Sequence, residues 1–223
     1  MARINVVRPH LFVYISVHSS LILYIIVRVI AGSARGVCLS SVKGDKTRPI
    51  QDRTKESLFN ILSGIIQDSR VMDLYAGTGA IGIEALSRGA TSCIFVENNR
   101  TAIQVISDNL VATRLQSKAV IVKNDVLETA PYLEKNSIKL DIVFAAPPYP
   151  LVEKDSYRSE LLTFFSLLAE KHIIQPEGIV VLQQRKAAFQ IPPEASCLEL
   201  FDTRMYGDTQ VLFFRIKATG ENV

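Results

Sequence analysis

The apolar run Leu140-Asp141-Ile142-Val143-Phe144-Ala145 ends in Ala146-Pro147-Pro148-Tyr149, and no other segment constrains the chain so much. Proline lacks an N–H and fixes φ, so a strand cannot continue its ladder through this tetrad. The backbone must leave the sheet there as a stiff turn, with an aromatic ring just past the strand's carboxyl end. In open α/β sheets ligands bind at that edge. A rigid loop with exposed carbonyls and one aromatic face suits a flat ring carrying an amino group. Equally, the tetrad is a proline-rich exit with Tyr149 packed on the surface, and the rest of the chain has to decide.

From Val71 onward strands and helices alternate. Residues 71–75, 92–96, 119–122, 140–145 and 178–182 read as strands, and 80–88, 100–113 and 159–173 as helices. In the second helix Ala102, Val105, Ile106 and Leu110 face inward. Such alternation with short loops predicts a parallel sheet covered on both faces. Residues 197–201 and 211–215 follow each other with only a loop between them, which predicts an antiparallel pair at one edge. Upstream, residues 27–31 and 37–39 read as short strands about a glycine turn. A helix begins near Asp52, with Leu58, Phe59, Leu62, Ile65 and Ile66 on one apolar face. Asp52 or Thr54 caps it, and Glu56 suits the positive end of its dipole.

Between the first core strand and its helix stands Asp73-Leu74-Tyr75-Ala76-Gly77-Thr78-Gly79-Ala80-Ile81-Gly82, with GxGxxG spacing. Gly77 and Gly79 permit a sharp turn and close approach of a ligand, and Gly82 permits close helix–strand packing. Glu97 ends the next strand, where a carboxylate accepts both hydroxyls of a ribose. Asp125, in Asn124-Asp125-Val126, ends the third, where it accepts from an adenine amino group. Each acid alone reads as a solvated strand end; three consecutive strand ends in register argue for a site. A nicotinamide dinucleotide needs its pyrophosphate at the helix N-terminus, where acids are unwelcome. S-adenosylmethionine carries a sulfonium and an ammonium and no phosphate. Asp73 and the Pro-Pro-Tyr exit favour the methyl donor.

The 223 residues, 48% hydrophobic, suffice for one buried α/β domain, and a net charge of +3 permits a nucleic-acid partner without demanding one. Cys38, Cys93 and Cys197 are dispersed and lack metal-ligand spacing, which points to a reducing, cytoplasmic compartment, with Cys93 as a small buried hydrophobe. Residues 11–30 are mostly apolar behind Arg3 and Arg8. They read as a signal or anchor, as an extra structured element, or as an upstream extension outside the working protein.

With these motifs placed, the chain resembles the RsmD-type methyltransferases, which methylate the exocyclic N2 of a guanine in small-subunit (16S) ribosomal RNA. The resemblance runs over roughly residues 27–216. It rests on Arg28-Val29-Ile30-Ala31-Gly32, on the block from Arg48-Pro49-Ile50-Gln51-Asp52-Arg53 through Asn60, on the glycine loop continuing to Ala90, on the Pro-Pro-Tyr exit, and on Tyr206-Gly207-Asp208-Thr209. It implies a class I, Rossmann-like S-adenosylmethionine-dependent fold with an antiparallel edge. It implies one methyltransferase domain over residues 27–223, with a small subregion at 27–67, and translation starting near Val27 with residues 1–26 extra. Asp73, Gly77 and Gly79 would bind the methionine part of the cofactor, Glu97 the ribose, and Asp125 with Val126 the adenine. Tyr149 would stack on the target guanine, the carbonyl of Pro147 would accept from its amine, and Pro148 would stiffen the loop. Arg48, Asp52, Arg53 and Tyr206 would lie near the RNA or cofactor entrance. The implied partner is small-subunit RNA or the assembling subunit, and the implied enzyme is a monomer that needs neither a metal nor a membrane.

One position departs from the family. Where relatives carry an acid or Asn that accepts from the target amine, this chain has Ala146. Loss of one oriented acceptor slows transfer on the order of a hundredfold, so Ala146→Asp is expected to raise the rate without changing cofactor affinity. Three alternatives stand: an RNA-binding assembly factor of the same fold with little or no activity, a methyltransferase acting on adenine, and a nicotinamide-dependent oxidoreductase. Lys46, Arg48, Arg53, Lys55 and Arg204 are candidate phosphate contacts, or else an ordinary solvated face. His10, His18 and His172 lie outside the motif blocks and receive no catalytic role.

Overall fold

A computed structural model describes residues 12–17, 20–25, 27–42, 52–187 and 190–217. Arg48 and Lys46 lie outside the described residues. Strands β1 (Phe12–Val17) and β2 (Ser20–Ile25) pair antiparallel as a separate ribbon. Strands β3 (Val27–Arg28) and β4 (Cys38–Leu39) form a second short ribbon. After α1 (Asp52–Ile61) the alternation begins: β5 (Arg70–Leu74), α2 (Ala80–Ser87), β6 (Ser92–Glu97), α3 (Arg100–Thr113), β7 (Ala119–Lys123), α4 (Ala130–Lys135), β8 (Leu140–Ala145), a one-turn α5 (Tyr149–Val152), α6 (Asp155–Glu170), β9 (Ile174–Arg185), β10 (Leu198–Tyr206) and β11 (Thr209–Ile216).

The main sheet has seven strands in the order β10-β11-β9-β8-β5-β6-β7. From β9 to β7 all neighbours are parallel. Strand β11 runs antiparallel to both β9 and β10 and supplies the expected antiparallel edge. The strand order reverses between β5 and β8, so a crevice opens at their carboxyl ends.

Alternation along the central strands sorts their side chains into two cores. Val71, Cys93, Phe95, Ile142, Phe144, Val181, Val211 and Phe213 pack toward α1, α2 and α3. Met72, Leu74, Val96, Val143, Val180, Leu182, Leu212 and Phe214 pack toward α4 and α6. The helices close these faces because their apolar residues recur at helical spacing. In α3, Asn99 accepts from the amides of Thr101 and Ala102, and Ile106 and Leu110 are buried.

Three sequence expectations are corrected here. Ile65 lies past the end of α1 and is 45% exposed, while Leu58, Phe59, Leu62 and Ile66 form the buried face as expected. Lys55 is wholly buried and cannot touch a phosphate: it donates to the Arg28 carbonyl and faces Glu84 at 3.5 Å. Strand β9 starts at Ile174, four residues before the expected Gly178, because an irregularity absorbs Pro176 and Gly178 between the pairs Leu140–Ile174 and Ile142–Ile179.

Candidate active site at the carboxyl edge of the sheet

Strand β5 delivers Asp73 and then turns sharply. Tyr75, Gly77 and Gly79 all have positive φ, at 58°, 56° and 75°. Such backbone is strained for Tyr75 and natural for the glycines. A side chain on Gly77 would meet nothing closer than the Tyr75 carbonyl at 3.9 Å, so the space above the loop is open to a ligand. Gly82 is the opposite case: a Cβ there would lie 2.3 Å from Phe95 Cε1 and 2.7 Å from Cys93 Sγ. Its bareness lets α2 sit on β6, as the GxGxxG spacing implied.

The acids of the loop do local work. Asp73 is 3% exposed and its Oδ2 accepts from the Gly82 amide at 2.8 Å. Burial pushes its carboxyl up to about 7, the nearby Glu97 charge adds to the rise, and the Gly82 amide opposes it. Glu97 Oε2 accepts from the Gly77 amide at 2.9 Å, while Oε1 accepts from Asn98 and Asn99. Strand β6 thus braces the glycine loop through one side chain. Asp125 is exposed at the end of β7, and its Oδ1 accepts from the Leu127 amide at 3.0 Å; Val126 beside it is buried.

Sequence reasoning missed two parts of this half of the site. Asn109, 1% exposed on α3, donates to the Thr78 and Ser40 carbonyls and accepts from the Ser40 amide, so it ties the loop to the N-terminal segment. A polar residue on the inward stripe of Ala102, Ile106 and Leu110 was the signal. Tyr75 and Tyr157 share a hydrogen bond of 2.6 Å. Burial pushes both hydroxyls up, and the Asp125 charge adds to each rise.

The other wall comes from β8, β9 and β11. The Ala146 amide still reaches the Leu74 carbonyl, at 3.4 Å, so the backbone stays in the ladder until Pro147. Pro147 is buried and Pro148 exposed. Tyr149 then opens the short α5, and its hydroxyl bonds Thr209 Oγ1 at 2.7 Å. The Arg185 guanidinium stands 5.9 Å from the Tyr149 ring centroid and pairs with Glu153 at 2.9 Å. The ring is therefore fixed at one end and flanked by a cation, beside the crevice that the proline exit predicted.

The remaining candidates gather at α1. Tyr206 donates to Ser57 Oγ, which ties the end of β10 to α1. Asp52 accepts from Arg28 at 3.0 Å, and Arg53 is exposed on the same first turn. Arg204 is paired with Asp202 at 2.8 Å. Among the described residues no group of His, Cys, Asp and Glu is placed to hold a metal ion, and no helix is long and apolar enough to cross a membrane.

Comparison with known proteins places this geometry in a family. The model of a family described as conserved hypothetical protein 95 matches residues 27–215. The putative rRNA methyltransferase YlbH of Bacillus subtilis is 34% identical over 188 residues, covering 84% of this chain and 98% of that protein. The ribosomal RNA small subunit methyltransferase D of Haemophilus influenzae is 32% identical over 75% of this chain and 83% of its own length. Among solved structures, a putative methyltransferase, yhhF, from Escherichia coli superposes with a TM-score of 0.71 at 26% identity, over 86% of this chain and 98% of that one. The family match over residues 27–215 spans the glycine loop, the strand-end acids and the Pro-Pro-Tyr exit of this chain: the protein belongs to the conserved hypothetical protein 95 family, that of the small-subunit ribosomal RNA methyltransferase D proteins.

Proposed function

We propose that this chain transfers a methyl group from S-adenosylmethionine to the exocyclic N2 of a guanine in small-subunit ribosomal RNA, working in the cytoplasm as a monomer. One observation carries the reading: the acid-braced glycine loop of β5 and the Pro-Pro-Tyr exit of β8 face each other across the point where strand order reverses.

The residues present fit the methyl donor. Asp73, Glu97 and Asp125 supply acceptors for a cationic, hydroxyl-bearing, amino-bearing ligand and repel phosphate. Glu97 already occupies the Gly77 amide, at 2.9 Å, that a dinucleotide's pyrophosphate would need. This argues against the oxidoreductase reading. The open space above Gly77 leaves room for the ligand's body. Asp73, Gly77 and Gly79 hold the methionine end, Glu97 the ribose, and Asp125 with Val126 the adenine. When bound, the cofactor supplies an electrophilic methyl group on a sulfonium sulfur.

The protein's remaining task is positioning. The target base leaves its stack, a step that costs a few kcal/mol, and lies against the free face of Tyr149. The Pro147 carbonyl accepts one N–H of its amino group. Pro148 keeps the loop from yielding. Arg53, exposed on the first turn of α1, and Tyr206 guide the RNA backbone toward the crevice.

The test is labelled methyl transfer to small subunits that lack the modification, followed by nucleoside analysis. N2-methylguanosine in the small-subunit RNA is the expected product. N6-methyladenosine would overturn the base assignment. Ala146 favours a second reading, an assembly factor that binds cofactor and RNA without transfer; cofactor binding with no labelled nucleoside would establish it.

A further inference from the structure

We propose that Gln183 supplies the hydrogen-bond acceptor that Ala146 lacks, and so acts as a catalytic residue that orients the amino group of the target base. The inference rests on the methyl-transfer reading above.

Register places the two residues side by side. Strands β8 and β9 are parallel, with Phe144 opposite Val181 and Ala145 opposite Leu182. The next step sets Gln183 opposite Ala146, and neighbouring strands lie about 4.8 Å apart. The Ala146 amide remains in the ladder, on the Leu74 carbonyl at 3.4 Å, so alternation persists to this point. Ala146 therefore faces the same side as Phe144, and Gln183 the same side as Val181 and its antiparallel partner Val211. That is also the side of Asp73.

The two consecutive glutamines are used differently. Gln184 faces the opposite core, is 1% exposed, and donates to Gln210 Oε1 at 3.0 Å. Gln183 follows the buried run Ile179, Val180, Val181, Leu182, yet is itself partly exposed, and its side chain has no hydrogen-bond or ionic partner among the described residues. An amide at the carboxyl end of a buried strand, partly exposed and without a protein partner among the described residues, has spare acceptor capacity. A glutamine side chain is long enough to span the roughly 4.8 Å between neighbouring strands.

The surroundings agree. Arg185, two residues on and on the same side, flanks the Tyr149 ring at 5.9 Å, and Thr209, opposite Arg185, holds the Tyr149 hydroxyl. Side chains of β9 and β11 thus build the wall beside the stacking ring, and Gln183 lies between that wall and Ala146. The Gln183 carbonyl accepts one N–H of the amine and turns the nitrogen lone pair toward the methyl carbon. The N–C bond forms as the C–S bond breaks, and the sulfur keeps the electron pair. A neutral amide does not retain a proton, so the proton shed by the methylated nitrogen passes to water at the crevice mouth.

The experiment compares wild type, Gln183→Leu, Gln183→Glu, Ala146→Asp and the Gln183→Leu/Ala146→Asp pair. Transfer to small subunits gives kcat and KM, calorimetry gives S-adenosylhomocysteine affinity, and melting confirms folding. Gln183→Leu is expected to lower kcat on the order of a hundredfold, with KM and cofactor affinity within about twofold. Gln183→Glu is expected to retain transfer. Ala146→Asp should restore most of the rate to Gln183→Leu while raising wild type far less. An unchanged kcat in Gln183→Leu, or equal gains from Ala146→Asp in both backgrounds, would overturn the role of Gln183 and leave the methyltransferase reading standing. No transfer by folded wild type would overturn both.

Discussion

Glu84→Gln tests the most heavily buried charges in the molecule. Lys55 and Glu84 have side chains with 0% exposure. Glu84 accepts from the amides of Ile30 at 2.8 Å and Ala31 at 3.0 Å, and from Arg88 Nε at 2.7 Å. Arg88 in turn lies 4.9 Å above the Phe59 ring, so one carboxylate joins the segment after β3 to α1 and α2. Burial lowers the Lys55 ammonium from its ordinary 10.5, and the Glu84 charge opposes that fall. In Glu84→Gln the ammonium loses its counter-charge, and breaking a buried pair in this way costs about 3–5 kcal/mol. Proton loss sets the ceiling: neutralising Lys55 at pH 7 costs about 1.36 kcal/mol for each unit below its ordinary value, roughly 5 kcal/mol in all. The pH dependence follows. A lysine neutral in the folded variant but charged when unfolded makes unfolding take up a proton, so the variant's stability rises with pH between 7 and about 10. The loss relative to wild type should shrink by up to about 1.4 kcal/mol per unit. Urea unfolding followed by circular dichroism at several pH values measures it, and Lys55→Met in the Glu84→Gln background should recover part of the loss. A loss under about 1 kcal/mol, or one that does not change with pH, would show that Lys55 keeps its charge and its water, and would refute the argument.

Two glycines of the loop should fail differently. Gly82→Ala forces a Cβ to 2.3 Å from Phe95 Cε1, and overpacking outweighs the roughly 1 kcal/mol gained in helix propensity, for a net loss of about 1–2 kcal/mol in urea. Gly77→Ala meets no such clash and costs about 1 kcal/mol of backbone strain, but calorimetry should show the larger loss in cofactor affinity. Asp73→Asn should flatten the pH profile of the free protein. With the carboxyl pushed up to about 7, wild type holds a proton that its unfolded chain releases near 3.8, so its stability is greatest below that value and falls as pH rises toward 7. Melting temperature against pH reads the slope, and a fall that persists in Asp73→Asn would assign it elsewhere.

The central strands and α3 were legible because burial on two faces leaves continuous apolar runs, and because punctuation at Gly77, Asn99 and Pro147 is local. What the sequence hid was long-range. Lys55 sits in a charged stretch and reads as solvated until α2 brings Glu84 against it. Asn109 joins segments that lie 69 and 31 residues away, a reach no local pattern reports. The expected strand begins at Gly178, because the first residues of β9, with Pro176 among them, pair with β8 only across an irregularity that no local pattern reports. The pairing of Ala146 with Gln183 depends on which strands are neighbours, and strand order is a property of the sheet.

That pairing is set at the far end of the sheet. Between its first two matches β8 advances two residues, from Leu140 to Ile142, while β9 advances five, from Ile174 to Ile179. Glu177 takes a φ of 62° there, and a Cβ on Gly178 would lie 2.7 Å from both the Gln175 carbonyl oxygen and Ile174 Cγ2. The irregularity thus has little room to relax. Because side chains alternate with period two, a one-residue slip of β9 would exchange every side chain between the cores. Gln184 would then stand beside Ala146, and Gln183 would be buried against α6. Gly178→Ala is therefore expected to act at a distance, destabilising the fold by about 1–3 kcal/mol through overpacking and lowering transfer without touching the crevice. Deleting one residue of the irregularity should be worse, because it forces the choice between apolar burial and the site. A Gly178→Ala protein with wild-type stability and kcat would show that the strands hold their register without it, and that the two ends of the sheet are uncoupled.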